Sequence, residues 1–215
     1  MAEEQARRRY DSLRRIAQAQ QTSAEIARAA RALFLAKGWA ATTVRDVASE
    51  AGVSVPTVYA AYGNKAGLTM ALADAADLSA DLPHLLTALE AADPAGQLAA
   101  MTAYDRRLFE RAGDVIVLLR DAGRTEPELA QAYRGARSRA DGAHRQVLGS
   151  WPPGTLHPTL DLATALDIYA ALCNIDVYTE LTAERGWPPE RVEKWWAATL
   201  IRELLARPQQ SPASL

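Results

Sequence analysis

The sequence predicts an all-α fold, on three observations. Apolar residues recur at helical spacing along almost all of the 215 residues, no stretch alternates convincingly in the manner of a strand, and proline and glycine punctuate the pattern where helices would end. With 49% hydrophobic residues the chain can bury one sizeable core, or a small domain joined to a larger one.

In chain order, Thr22-Ser23-Ala24-Glu25 has the form of a capping box and is expected to open the first helix, with Ile26, Ala30, Leu33 and Phe34 on one face and Gly38 closing it after Lys37. A second, short helix starts at Thr42-Thr43, where the side chain of Asp46 can reach back to the cap, and runs to about Ala51. Gly52 supplies the positive φ that stops it, Val53 fills the gap between helices, and Ser54 caps a third helix from Val55 to Tyr62 with Pro56 in its first turn. Gly63 ends that helix and Asn64 caps a fourth, from Lys65 to about Ala80, with Leu68, Leu72 and Ala75 inward.

Further on, Pro83 opens a short helix to about Ala91, and Asp93-Pro94 starts one that carries Leu98, Met101, Tyr104 and Leu108 and is expected to break near Gly113. The segment Gly123 to Thr125 ends the apolar run "DVIVLLR" and caps a long helix with Leu129, Tyr133, Ala136, Ala140, Ala143 and Val147 on its inner stripe. "PPGTLHP" reads as a loop. Two final helices are expected from Thr159 to Ala183 and from Pro188 to Ala206, with "ERGWPPER" as their turn.

Two short helices joined by a tight glycine turn make a helix-turn-helix. Ala48 is small where the helices cross, Gly52 turns, and Val58 fills the space between them. An ordinary αα corner would have the same caps. What sets this one apart is its outer face, where Ser54, Thr57, Tyr59, Tyr62 and Lys65 gather hydroxyls and a cation suited to phosphate oxygens.

Composition narrows the function classes. One Cys and three scattered His exclude a Cys-based zinc site and make no metal-ligand pattern, so neither a metal nor a cofactor is expected. No nucleophile elbow or phosphate loop is found, and no catalytic residue is assigned. With no signal-peptide core and no long uncharged apolar run, a cytoplasmic protein without a membrane partner is expected. The net charge of −2 conceals an asymmetry: the first seventy residues hold ten Lys/Arg against six Asp/Glu, and the rest fourteen against twenty. A basic N-terminal third fits a small nucleic-acid-binding unit attached to a domain with other work.

The run "IARAARALFLAKGWAATTVRDVASEAGVSVPTVYAAYGNKAGL", Ile26 to Leu68, resembles the DNA-binding domain of the tetracycline-repressor (TetR) family of bacterial regulators. The elements Ala-Ala-x-x-Leu-Phe, Gly, Thr-Thr-Val, Ala-Gly-Val-Ser, Thr-Val-Tyr and Lys-x-x-Leu occur in order. The resemblance implies an N-terminal three-helix DNA-binding domain followed by a larger helical domain for ligand binding and dimerisation. It divides the chain into a basic arm or helix extension (1–21), the DNA-binding domain (22–68), the regulatory domain (69–207) and a tail (208–215). No linker is long or polar enough to separate the two domains, so the fourth helix is expected to join them.

By the same resemblance, Thr43 and Lys65 match phosphate contacts, with Arg45 beside them, and Thr57 and Tyr59 match contacts of the recognition helix. Ser54 starts that helix. Val55 and Pro56 are expected to touch thymine methyls, and Tyr62 stands where the family usually has a buried Phe. Ala60, Ala61 and Ala66 replace larger residues, which leaves more of the specificity to DNA shape. Arg7, Arg8, Arg9, Arg14 and Arg15 either extend the first helix or form an arm that tracks phosphates.

The expected partners are a palindromic operator in double-stranded DNA, a second copy of the chain, and a small apolar or aromatic inducer. For the inducer, candidate residues on helix faces able to enclose a cavity are Met101, Tyr104, Leu108, Tyr133, Arg137, His144, Tyr169, Cys173, Asn174 and Tyr178. The last two helices are apolar on more than one face, so Leu162, Leu166, Ile168, Leu172, Ile175, Trp195, Ala198 and Leu205 are candidates for a four-helix dimer interface, with Trp196 and Leu200 facing inward. The leading function is a homodimeric repressor released by a small molecule. The alternative is a regulator of the same type without such a ligand, controlled by a protein partner or by concentration.

Overall fold

A computed structural model of the chain describes residues 2–77 and 81–206, and the side chains of all of these except 2–13, 15, 76 and 77. It is all-α. The helices are α1 (Ala2–Lys37), α2 (Val44–Glu50), α3 (Val55–Tyr62), α4 (Lys65–Asp77), α5 (Leu82–Ala91), α6 (Pro94–Ala122), α7 (Pro127–Gly149), α8 (Leu162–Leu172), α9 (Ile175–Thr179) and α10 (Pro189–Leu204). Two compact units separate, one within Met1–Ala75 and Val117–Ala132, the other within Ala76–Ile116 and Tyr133–Leu215.

In the first unit, α1 packs on α2 and α3, and Ile26, Ala30, Phe34, Val47, Val58 and Leu68 form a buried core. The first helix departs from expectation. It does not begin at Thr22 but runs from Ala2, so the Thr22–Glu25 box lies inside it. The preceding segment is rich in Ala, Arg, Gln and Glu, all strong helix formers, with no Gly or Pro to stop it. The leader is therefore a helical extension; Arg14 is exposed, while the side chains of Arg7, Arg8, Arg9 and Arg15 lie outside the described residues. So do residues 78–80, where the fourth helix was expected to end, and the tail 208–215.

In the second unit, Leu98, Met101, Ala112, Val115, Ala165, Leu166, Tyr169, Val192, Trp196, Leu200 and Leu204 are buried. Here α6 passes without interruption through Gly113. A Cβ at that position would meet Ile175 Cδ1 at 3.0 Å, so the missing side chain lets α9 pack closely and does not mark a break. The expected helix from Thr159 to Ala183 is instead divided. Cys173 ends α8, and Asn174 starts α9 by accepting hydrogen bonds from the amides of Asp176 and Val177, each at 3.0 Å. A π-helical turn, Glu180–Glu184, follows α9. On α7, Ala140 and Ala143 are exposed and not on an inner stripe, while Leu148 is buried. "PPGTLHP" is a loop that meets the end of α10 through an isolated bridge between Leu156 and Leu205.

Candidate DNA-binding site

The site is assembled by local rules. Thr43 makes both halves of a capping box: its Oγ1 accepts from the Asp46 amide at 3.1 Å, and its own amide donates to Asp46 Oδ2 at 2.8 Å. The Thr43 amide, together with the Thr43 hydroxyl that donates to the same oxygen at 2.9 Å, holds the Asp46 carboxyl below the usual carboxylate range. Gly52 has φ +66°, which lets the chain reverse within three residues of the end of α2. Ser54 then caps α3, its Oγ 3.3 Å from the Thr57 amide and 2.8 Å from Thr57 Oγ1, with Pro56 in the first turn. Asn64 accepts from the Gly67 amide at 2.6 Å and so starts α4. A Cβ on Gly67 would collide with the Tyr62 carbonyl, which fixes how closely α4 can follow the recognition helix.

The outer surface carries the expected groups. Thr43, Arg45, Ser54, Pro56 and Tyr59 are exposed, Val55 and Thr57 half-buried, and Tyr59 keeps 50% of its surface. An open concavity is lined by Thr43, Val44, Arg45, Val55 and Tyr59, so the first turns of α2 and α3 face the same hollow. Their backbone amides and hydroxyls suit phosphate oxygens.

Two of the named side chains are committed elsewhere. The Tyr62 hydroxyl donates to the Ser23 carbonyl at 2.8 Å, tying α3 to α1, and burial pushes its pKa up. Lys65 Nζ donates to the carbonyls of Trp39 and Thr42 at 2.9 and 3.0 Å and sits 3.7 Å from the Trp39 ring centre. Its pKa is lowered by desolvation, against which Glu126 acts. Two of its three N–H donors are thus spent on holding the loop between α1 and α2. Trp39 extends the same knot by donating Nε1–H to Thr69 Oγ1 at 2.9 Å, and Thr42 Oγ1 donates to the Gly38 carbonyl at 2.9 Å. Sequence reasoning missed Trp39. A single aromatic after Gly38 gives no local sign that a lysine 26 residues later will stack on it.

In the second unit, the structure gathers only part of the candidate ligand set. Tyr169 is fully buried and donates its hydroxyl to Asp105 Oδ2 at 2.8 Å; the His144 ring lies 4.3 Å from the Tyr169 ring, and Cys173 is buried nearby. Tyr178 belongs to a separate aromatic group with Phe109 and Trp196, at 5.7 and 6.2 Å. Met101 is buried; Tyr104, Leu108 and Tyr133 are half-buried; Arg137 is exposed. Both polar ends of Asn174 are used in capping, its Nδ2 donating to the carbonyls of Ala170 and Ala171. Asp105 was not singled out in the sequence, although its position four residues after Met101 and seven before Ala112 places it on the buried stripe of α6.

Of the candidate interface residues, Leu166 and Ile175 are buried within the chain; Leu162, Ile168, Leu172, Trp195 and Leu205 are half-buried and Ala198 is exposed. Trp196 and Leu200 do face inward. Among the described residues, no group of His, Cys, Asp and Glu is arranged to hold a metal, and no helix is long and apolar enough to cross a membrane.

A capped support helix, a positive-φ glycine turn and a second capped helix presenting Pro56, Thr57 and Tyr59 define a DNA-binding helix-turn-helix domain. Residues 26–79 match the family model described as "Bacterial regulatory proteins, tetR family", so this segment is similar to the domain that the model describes. Over 84 residues it is 39% identical to the HTH-type transcriptional regulator TtgR of Pseudomonas putida, a stretch that is 39% of this chain and 39% of that relative. A candidate transcriptional regulator from Saccharomonospora viridis, solved in complex with choline, has the same fold at 17% identity and TM-score 0.70, covering 87% of this chain and all of that one. NalD of Pseudomonas aeruginosa, described as the secondary repressor of the MexAB-OprM multidrug efflux pump, superposes at TM-score 0.69 with 23% identity, over 86% of this chain and 96% of its own.

Proposed function

We propose that the chain is a homodimeric transcriptional repressor that binds a palindromic operator and is released by a small molecule. The observation that carries this reading is the outer face of the helix-turn-helix, where the exposed Thr43, Arg45 and Tyr59 line one hollow and Pro56 is exposed on the same helix as Tyr59. Repression is the role described for NalD, and a small ligand is described for the Saccharomonospora neighbour. In a dimer, the two recognition helices would enter successive major grooves about 34–36 Å apart, or a multiple of that. A ligand can act only by binding one dimer geometry better than the other, and a coupling of about 1–3 kcal/mol would loosen the operator about 5–150-fold.

Selection of duplexes from a random pool, followed by gel-shift titration, tests the reading. The expected product is a two-fold symmetric site whose half-sites are spaced as above. Arg45→Ala should weaken all duplexes alike and lower the salt slope by about one. Enrichment of no sequence, or of an asymmetric one, would overturn it.

A further inference from the structure

Asp105 is an acid in an unfavourable place. It lies on the buried stripe of α6 with 7% of its surface exposed, and its Oδ2 accepts one hydrogen bond, from the Tyr169 hydroxyl at 2.8 Å. A buried carboxylate calls for a cation or several donors. Among the described residues no cation is supplied. The adjacent Arg106 is turned to Glu193 through Nε, at 2.8 Å, and to Glu110, at 2.6 Å. His144, whose ring lies against Tyr169, is kept neutral, burial pushing it down to about 4. Burial pushes Asp105 up to about 7. The Tyr169 hydroxyl needs an acceptor, but a neutral amide oxygen would serve it, so packing alone gives no reason for a group that can carry charge.

We propose that Asp105, Tyr169 and His144 form the recognition end of the effector site, and that the effector is an organic ammonium ion. Its charge pairs with Asp105, and its carbon substituents lie against the Tyr169 and His144 rings. This rests on reading the chain as a ligand-released regulator. Among the described residues no group of His, Cys, Asp and Glu is arranged to hold a metal ion, and a carboxylate repels anions; aromatic faces beside an acid suit a diffuse, weakly hydrated cation. Access is through His144, which is half-buried on α7 directly after seven consecutive exposed residues, 137–143.

Isothermal titration of the full-length protein with benzyltrimethylammonium, benzylammonium and the uncharged benzyl alcohol tests the proposal. Both cations should bind at least about tenfold more tightly than the alcohol, and Asp105→Asn should remove that margin while leaving the alcohol unchanged. Asn keeps an acceptor for Tyr169, so the fold is not put at risk; a melting curve checks this. A second signature is proton release. At pH 7, where Asp105 is partly protonated, cation binding should expel a fraction of a proton, seen by repeating the titration in buffers of different ionisation enthalpy; the release should vanish at pH 9 and in Asp105→Asn. Equal affinity for alcohol and cations, unchanged cation binding in Asp105→Asn, or no heat from either cation would overturn it. Gel shifts on the same preparation separate the two readings. Protein that binds its selected duplex and ignores both cations counts against the ammonium site alone; protein that binds cations and no duplex counts against the regulator alone.

Discussion

The polar side chains that build the helix-turn-helix and those around Asp105 are put to opposite uses. Around the helix-turn-helix, Thr43, Ser54 and Asn64 end or begin helices at the surface, each satisfying backbone donors that the helix leaves open, and their remaining capacity faces solvent. In the second unit, Asp105, Tyr169 and His144 meet one another in the interior, where each group's charge state is set by its surroundings. A surface cap can be exchanged at modest cost. A buried acid cannot, unless its partner changes with it.

The largest difference should appear between two tryptophans. Trp196 is fully buried between Phe109 and Tyr178, and Trp196→Ala should lower stability by about 3–5 kcal/mol. Trp39 is half-buried, and its contributions are a hydrogen bond to Thr69 and a ring under Lys65. Trp39→Ala should cost about 1–2 kcal/mol yet weaken duplex binding more than Trp196→Ala does, because it releases the loop that positions Thr43. Urea titrations and gel shifts on both variants check this, and equal stability losses would erase the contrast.

A smaller effect, with a sign that can be tested, concerns pH. Asp105 is raised from 3.8 to about 7, so by itself it stabilises the fold fully below pH 4 and loses that contribution as pH climbs to about 7. His144 is lowered from 6.5 to about 4, with Asp141 and Arg137 acting on it in opposite directions; its contribution is full above pH 6.5 and lost as pH falls to about 4. In the intact protein the two slopes oppose each other between about pH 4 and 6.5. His144→Gln should expose the first slope, worth up to about 4 kcal/mol across its window, and Asp105→Asn the second, worth up to about 3 kcal/mol. Denaturation midpoints at pH 4, 5.5, 7 and 8 would show profiles of opposite direction; parallel profiles would mean that the pair does not titrate as its burial implies.

The same contrast explains how much of the molecule was legible in the sequence. Caps and turns depend on a few adjacent residues, so Thr43, Gly52, Ser54, Gly63 and Asn64 could be assigned from the chain alone. Gly113 was misread because a glycine that admits Ile175 from another helix looks like a glycine that breaks one. The break at Cys173-Asn174 was missed because the apolar spacing of α8 continues into α9, and only the Asn174 side chain, used as a cap, divides them. Trp39 and Asp105 acquire their roles through contacts with Lys65 and Tyr169, residues distant in sequence, and no local pattern encodes such meetings.

The smallest effect separates folding from recognition at one residue. Ser54 both caps α3 and pairs with the Thr57 hydroxyl at 2.8 Å. Ser54→Ala removes the cap and should cost about 1 kcal/mol, with fraying of the first turn that presents Pro56 and Thr57. Ser54→Asp restores a cap and places a favourable charge at the helix N-terminus, so stability should return to near the parent value. That same charge would face the phosphates, and duplex binding should fall further than in the alanine variant, most of all at low salt. If the aspartate variant instead recovered binding together with stability, Ser54 would be a cap and nothing more, and the DNA would lie on some other part of this surface.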